Sequence, residues 1–132
     1  MKNELIAAAT AARQNAYVPY SHFAVGAALI TDDGRVVAGC NVENASFGLT
    51  LCAERNAMFA AVAGGSTHFQ ALAIIADTPG PVSPCGACRQ VMAEFMASEA
   101  PVYLTNLHGD ATETTVGALL PGAFDKEDMA RD

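Results

Sequence analysis

The stretch LTLCAERNAM, residues 49–58, places Glu54 and Arg55 two and three positions after Cys52. A second stretch, SPCGACRQ, carries Cys85 and Cys88. Thiolates are soft ligands suited to zinc, and a carboxylate beside a metal-held water can take up and return a proton. On a helix, cysteines three apart lie about 60° from each other and share one face. At a helix start they also meet the positive end of the dipole, which favours the deprotonated, metal-binding form. Three protein ligands leave one tetrahedral position for water, the pattern of a catalytic zinc site. Three thiolates on a dication leave an excess negative charge, and a negative centre is a poor Lewis acid. Arg55 is the best-placed cation by sequence to withdraw that charge; Arg89, just after Cys88, is second.

Blander readings stand beside this one. Cys85 and Cys88 alone also fit a redox dithiol, and all four cysteines could close a structural zinc site. A third cysteine with an adjacent glutamate is not part of the redox motif. In RVVAGCNVE, strand alternation puts Val36, Ala38, Cys40 and Val42 on one face and Val37, Gly39, Asn41 and Glu43 on the other. Cys40 therefore reads as a small buried hydrophobe, not a fourth ligand. Glu54 in a first helical turn could simply complement the dipole, and Arg55 could face solvent. His22, His68 and His108 fall outside the metal spacing and read as surface or loop residues.

The elements that must position these groups follow from periodicity. Leu5, Ile6, Ala9, Ala12 and Ala16 recur at near-helical spacing, so a helix is expected over 3–16. VGAALITDDGRVVAGCNV reads as two strands joined at Asp33-Gly34. A helix is expected from Cys52 to Val62, stopping at Gly64-Gly65. The apolar run ALAIIA (71–76) suits a strand covered on both faces. Pro79, Gly80, Pro81 and Pro84 punctuate a loop before a third helix over 85–97, and VYLTN (102–106) reads as a further strand. TTVGALL then forms a short apolar segment before the turn PGAF. The order helix, two strands, helix, strand, helix, strand implies a mixed sheet with helices on its faces.

Composition narrows the function classes. The 132 residues suit one domain with a real core, and 52% apolar against 16% charged residues argues against disorder. A net charge of −7, with the seven basic residues scattered, disfavours nucleic acid as a partner. No N-terminal signal pattern and no membrane-length apolar run is visible, so a soluble cytoplasmic protein is expected.

CAE (52–54) together with PCGAC (84–88) resembles the zinc-dependent nucleoside and nucleotide deaminases, whose signature is ligand-x-Glu followed by Pro-Cys-x-x-Cys. With cysteine as first ligand, and with YVPYSHFAVGAAL, GCNVENASFG, DTPGPVSPCGACRQV and LLPGAF also matching, the chain is similar to the small homotetrameric cytidine deaminases. That resemblance covers nearly the whole chain. It implies a three-layer α/β/α fold with a mixed, roughly five-stranded sheet, in a single catalytic domain, 1–132. It implies one zinc per subunit on Cys52, Cys85 and Cys88. It implies hydrolysis of cytidine and 2′-deoxycytidine to the uridine forms with release of ammonia, in pyrimidine salvage. Glu54 would protonate N3 and then help the amino group leave. Phe23 would lie against the pyrimidine, the Ala53 backbone would recognise the base, and Asn41 and Glu43 would hold the 3′-hydroxyl. Sites shared within a homotetramer would add, from neighbouring subunits, the Ala45 backbone near the 5′-hydroxyl and Phe124 over the base. Phe47 stands where relatives often carry tyrosine, which removes one polar contact. The rivals are a deaminase for another free base or an aminonucleoside antibiotic, and a non-catalytic zinc module needing neither Glu54 nor an open ligand position.

Overall fold

The computed structural model describes residues 1–129. Its elements run α1 (Lys2–Arg13), β1 (Val25–Thr31), β2 (Val36–Cys40), α2 (Ala53–Ala63), β3 (Phe69–Ala76), α3 (Gly86–Phe95), β4 (Pro101–Asn106), β5 (Ala111–Thr115) and α4 (Val116–Leu119). The five strands form one sheet in the order β2-β1-β3-β4-β5. β3 and β4 pair in parallel, while the other three pairings are antiparallel. The mixed α/β sheet expected above is thus present.

Alternation along the strands divides the core into two layers. Val25, Ala27, Leu29, Leu72, Ile74, Val102 and Leu104 pack with Ala57 and Met58 of α2 and Cys88 and Met92 of α3. The intervening residues, Ala28, Ala71, Ala73, Ile75 and Tyr103, meet Leu5 and Ala9 of α1 on the other face. Two glycines allow this close stacking. A Cβ at Gly26 would lie 1.9 Å from the Ala9 carbonyl oxygen, and one at Gly39 would lie 2.6 Å from the Ala57 nitrogen. Side-chain volume at either position would push a helix off the sheet.

The structure corrects the sequence reading in four places. α1 ends at Arg13 because the chain turns at Gln14-Asn15, bringing Tyr17 into a bridge with Val42. α3 ends at Phe95 because Met96 becomes extended and bridges to Phe69. The segment after β4 contains a fifth strand, β5, whose sequence ATETT is polar and largely exposed at the sheet edge. Cys40 is only partly buried, since it ends β2, the opposite edge strand.

Candidate metal centre and adjoining pocket

Cys52 and Cys85 occupy equivalent places. Each is the extended N-cap residue of its helix, α2 and α3 respectively, and neither side chain makes a capping hydrogen bond. Both sulfurs are therefore free to face the unsatisfied N–H groups of a first helical turn. Cys88 sits on the first turn of α3 and is fully buried.

The sulfurs of Cys52 and Cys85 are 3.7 Å apart, and those of Cys85 and Cys88 are 3.5 Å apart. Zinc–sulfur bonds of about 2.3 Å in tetrahedral geometry require a sulfur–sulfur spacing of about 3.8 Å. The two spacings are close to that value, so the cluster fits zinc. All three ligand atoms lie within 4.8 Å of one another. Cys40 is outside this cluster; its carbonyl instead accepts a hydrogen bond from the Asn56 amide at 2.8 Å, tying α2 to β2.

Arg55 donates from Nη2 to the Cys52 sulfur at 3.2 Å. That contact excludes a purely solvent-facing role. Hydrogen bonding from the Cys88 thiol, followed by Arg55, pulls Cys52 down to about 5. Donation to Cys52 and burial push the Cys88 thiol up. The contact with Cys52 in turn strengthens the hold of Arg55 on its own proton. The guanidinium thus lies against the sulfur whose thiolate form is favoured.

Glu54 turns inward, with only 4% of its surface exposed. Burial pushes its carboxyl above the ordinary value of 4.5. A dipole-complementing glutamate would sit in water; this one does not. It lines a cavity of about 170 Å³ together with Phe23, Asn41, Ala53, Cys52 and Cys85. The cavity therefore gathers the two thiols, the carboxyl and one aromatic ring. Sequence reasoning missed Val25, Thr50, Ile74, Val82 and Ser83, which also line it. Of these, only Ser83 carried a usable signal, its place two residues before Cys85.

Asn41 and Glu43 lie beyond the end of β2, line different cavities, and are both already engaged. The Asn41 amide accepts from the Val25 N–H at 2.9 Å and donates to the Phe23 carbonyl at 2.7 Å, which fixes the Phe23 backbone. The Glu43 carboxylate accepts from the N–H groups of Tyr20 and Ser21 at 3.1 Å and from the Ser21 hydroxyl. Glu43 lines a second cavity of about 350 Å³ with Tyr20, Ser21, Phe47 and Thr50, and Thr50 borders both cavities. Ala45 and Phe124 do not reach either cavity within this chain; both are exposed, Phe124 by 60%.

Residues 1–105 match the model of a family described as the cytidine and deoxycytidylate deaminase zinc-binding region. The chain belongs to this family. A cytidine deaminase of Sporosarcina psychrophila is 61% identical over 127 residues, covering 96% of this chain and 93% of that one. A cytidine deaminase of Halalkalibacterium halodurans is 59% identical, covering 95% of each. The solved cytidine deaminase from Burkholderia pseudomallei superposes with a TM-score of 0.91 at 56% identity, over 94% of this chain and 99% of that one. The chain is thus a deaminase of a zinc-binding family, and its three-cysteine cluster fits a zinc site. Among the described residues, no helix is long and apolar enough to cross a membrane.

Proposed function

We propose that this deaminase converts cytidine and 2′-deoxycytidine, with water, to uridine and 2′-deoxyuridine, releasing ammonia, as a cytoplasmic enzyme of pyrimidine salvage. The whole chain, 1–132, acts as one catalytic domain holding one zinc. The observation that carries the reading is a buried carboxyl, Glu54, facing a ring-sized cavity beside three thiols at zinc spacing.

Cys52, Cys85 and Cys88 would hold the zinc, which would supply the Lewis acidity for water to add at C4. Glu54, its affinity for protons raised by burial, receives the proton that water gives up. It places that proton on ring N3, then takes the remaining proton from the hydroxyl added at C4. It passes this second proton to the amino group, which leaves as ammonia as the C4–N bond breaks and the C4 carbonyl forms. Phe23 packs against the ring and the Ala53 backbone reads the base. Arg55, bonded to Cys52, offsets the surplus thiolate charge.

The base occupies the smaller cavity and the sugar reaches past Thr50 toward the larger one. Asn41 from the smaller cavity and Glu43 from the larger thus address the 3′-hydroxyl through the lone pairs and the N–H that their internal bonds leave free. The exposed Ala45 and Phe124 complete the site of a neighbouring copy in a homotetramer. Exposed Tyr20 and Phe47, whose rings lie 5.9 Å apart, support assembly, because neighbouring large apolar groups on a surface favour association. No nucleic acid or membrane is required.

The deciding assay supplies cytidine to the purified zinc form and follows uridine and ammonia. Stoichiometric formation of both is expected; no turnover by folded, zinc-loaded protein would reject the reading. Cytidine 5′-monophosphate should be a poor substrate, because no lysine or arginine lines either cavity. Equal efficiency on the nucleoside and its monophosphate would overturn that specificity.

A further inference from the structure

Arg89 follows Cys88 directly and could have turned toward the thiolates as Arg55 does. Its guanidinium instead donates to three acceptors from two separate stretches of chain. Nε reaches the Pro84 carbonyl at 2.9 Å, Nη2 the Ser83 hydroxyl at 2.8 Å, and Nη1 the Leu119 carbonyl at 2.9 Å. The Arg89 backbone N–H meanwhile donates to the Cys85 carbonyl at 3.1 Å. One residue therefore pins two successive carbonyls, those of Pro84 and of the ligand Cys85.

We propose that Arg89 is a positioning residue that fixes the turn delivering Cys85 to the zinc site. The need for such a residue is visible in the loop itself. Residues 77–85 lie outside any helix or strand. The early part of the loop is held by Asn106, whose amide donates to the Thr78 carbonyl at 2.9 Å, and Val82 is tied to Thr105 at 3.3 Å. Beyond Val82, Ser83 and Pro84 have no backbone tie to the sheet; Pro84 has no N–H to offer. Arg89 supplies the missing anchor.

Cys85 is also the ligand with the least support of its own. Cys88 is buried in the core and Cys52 is half-buried against Arg55, whereas Cys85 is exposed. Its sulfur stays at zinc spacing only if the Ser83–Pro84 turn stays in place. A lysine could satisfy one of the three acceptors, but it lacks the planar fork that meets all three together. The Leu119 bond extends the same clamp to the last residue of α4.

The test uses the zinc-loaded protein and a chromogenic chelator, and depends on no substrate. R89K should release zinc at least ~10-fold faster than the parent chain, the scale on which partners outside the ligand set affect metal sites. Ser83→Ala, which removes one acceptor, should accelerate release less, in the same direction. Arg35→Ala is the control. Arg35 also spans loops, bonding the Gly64 carbonyl and the Ser66 hydroxyl, but at the far end of α2 from Cys52. It should leave zinc release unchanged even where it lowers the melting temperature. With cobalt in place of zinc, R89K should also shift the thiolate-to-metal absorption bands. Unchanged release and an unchanged cobalt spectrum in folded R89K would overturn the proposal. So would equal acceleration by Arg35→Ala, because that would reflect general loosening of the fold.

Discussion

Glu54 and Arg55 are adjacent in the chain and face opposite demands. Glu54 is almost fully buried, which raises its affinity for a proton; Arg55 reaches back one turn to a sulfur. Glu54→Gln keeps the shape and removes the proton shuttle. It should fold, keep one zinc by metal analysis, and lose at least ~10²-fold in kcat. Retained turnover would end the shuttle role. Glu43 offers a second residue-scale prediction. Its bond from the Ser21 hydroxyl, followed by the two backbone N–H bonds, holds its carboxyl below the ordinary 4.5. A depressed carboxylate stabilises the fold fully above its unfolded value, and the contribution is lost as pH falls through the folded value. Glu43→Gln should therefore melt below the parent at pH 7, and the gap should close as pH is taken progressively below 4.5. A gap that is constant with pH would mean the carboxylate charge plays no part in holding the loop.

At the scale of elements, the site is made where two helices begin. α2 presents Cys52, Glu54 and Arg55, α3 presents Cys85 and Cys88, and the packing of α2 on β2 depends on the missing side chain at Gly39. Gly39→Ala should destabilise the chain by about 1–3 kcal/mol in urea unfolding at fixed zinc, as expected for overpacking. A neutral substitution would show that α2 can slide without cost. The same elements explain what was legible in the sequence. Cysteines at fixed spacing beside apparent helix starts are visible without a fold, so the gathering of Cys52, Cys85 and Cys88 beside Glu54 could be read directly. The strands β1 to β4 carry enough apolar residues to declare themselves. β5 did not, because an exposed edge strand needs no apolar face and ATETT has none. The bonds of Arg89 were illegible for another reason: the Leu119 carbonyl lies 30 residues away, and only the fold brings it near.

At the scale of the whole molecule, Phe124 lines neither of the two cavities of its own chain. Phe124 is exposed here, while its carbonyl is held by the Gln90 amide at 2.7 Å, so the segment is presented outward from α3. If Phe124 serves a neighbouring copy, mixing two defective forms should restore activity. Glu54→Gln subunits would lend Phe124, and Phe124→Ala subunits would supply Glu54. Co-refolded mixtures should recover turnover that neither form shows alone, and should sediment near four times the 13.6 kDa chain mass. Failure to recover activity in verified mixed oligomers would place Phe124 outside the site.

The meeting of Cys52 with Cys85 has a further consequence. Their sulfurs are 3.7 Å apart although 33 positions separate them along the chain. An ion gripping both acts as a reversible cross-link, closing a loop that contains all of α2 and β3. Such a closure shrinks the freedom of the unfolded chain, as a disulfide does, by about 3–4 kcal/mol for a loop of this length. Unlike a disulfide, it opens whenever the ion leaves. Resistance to proteolysis should therefore follow zinc supply, so the ion that serves the chemistry also sets how long each copy lasts.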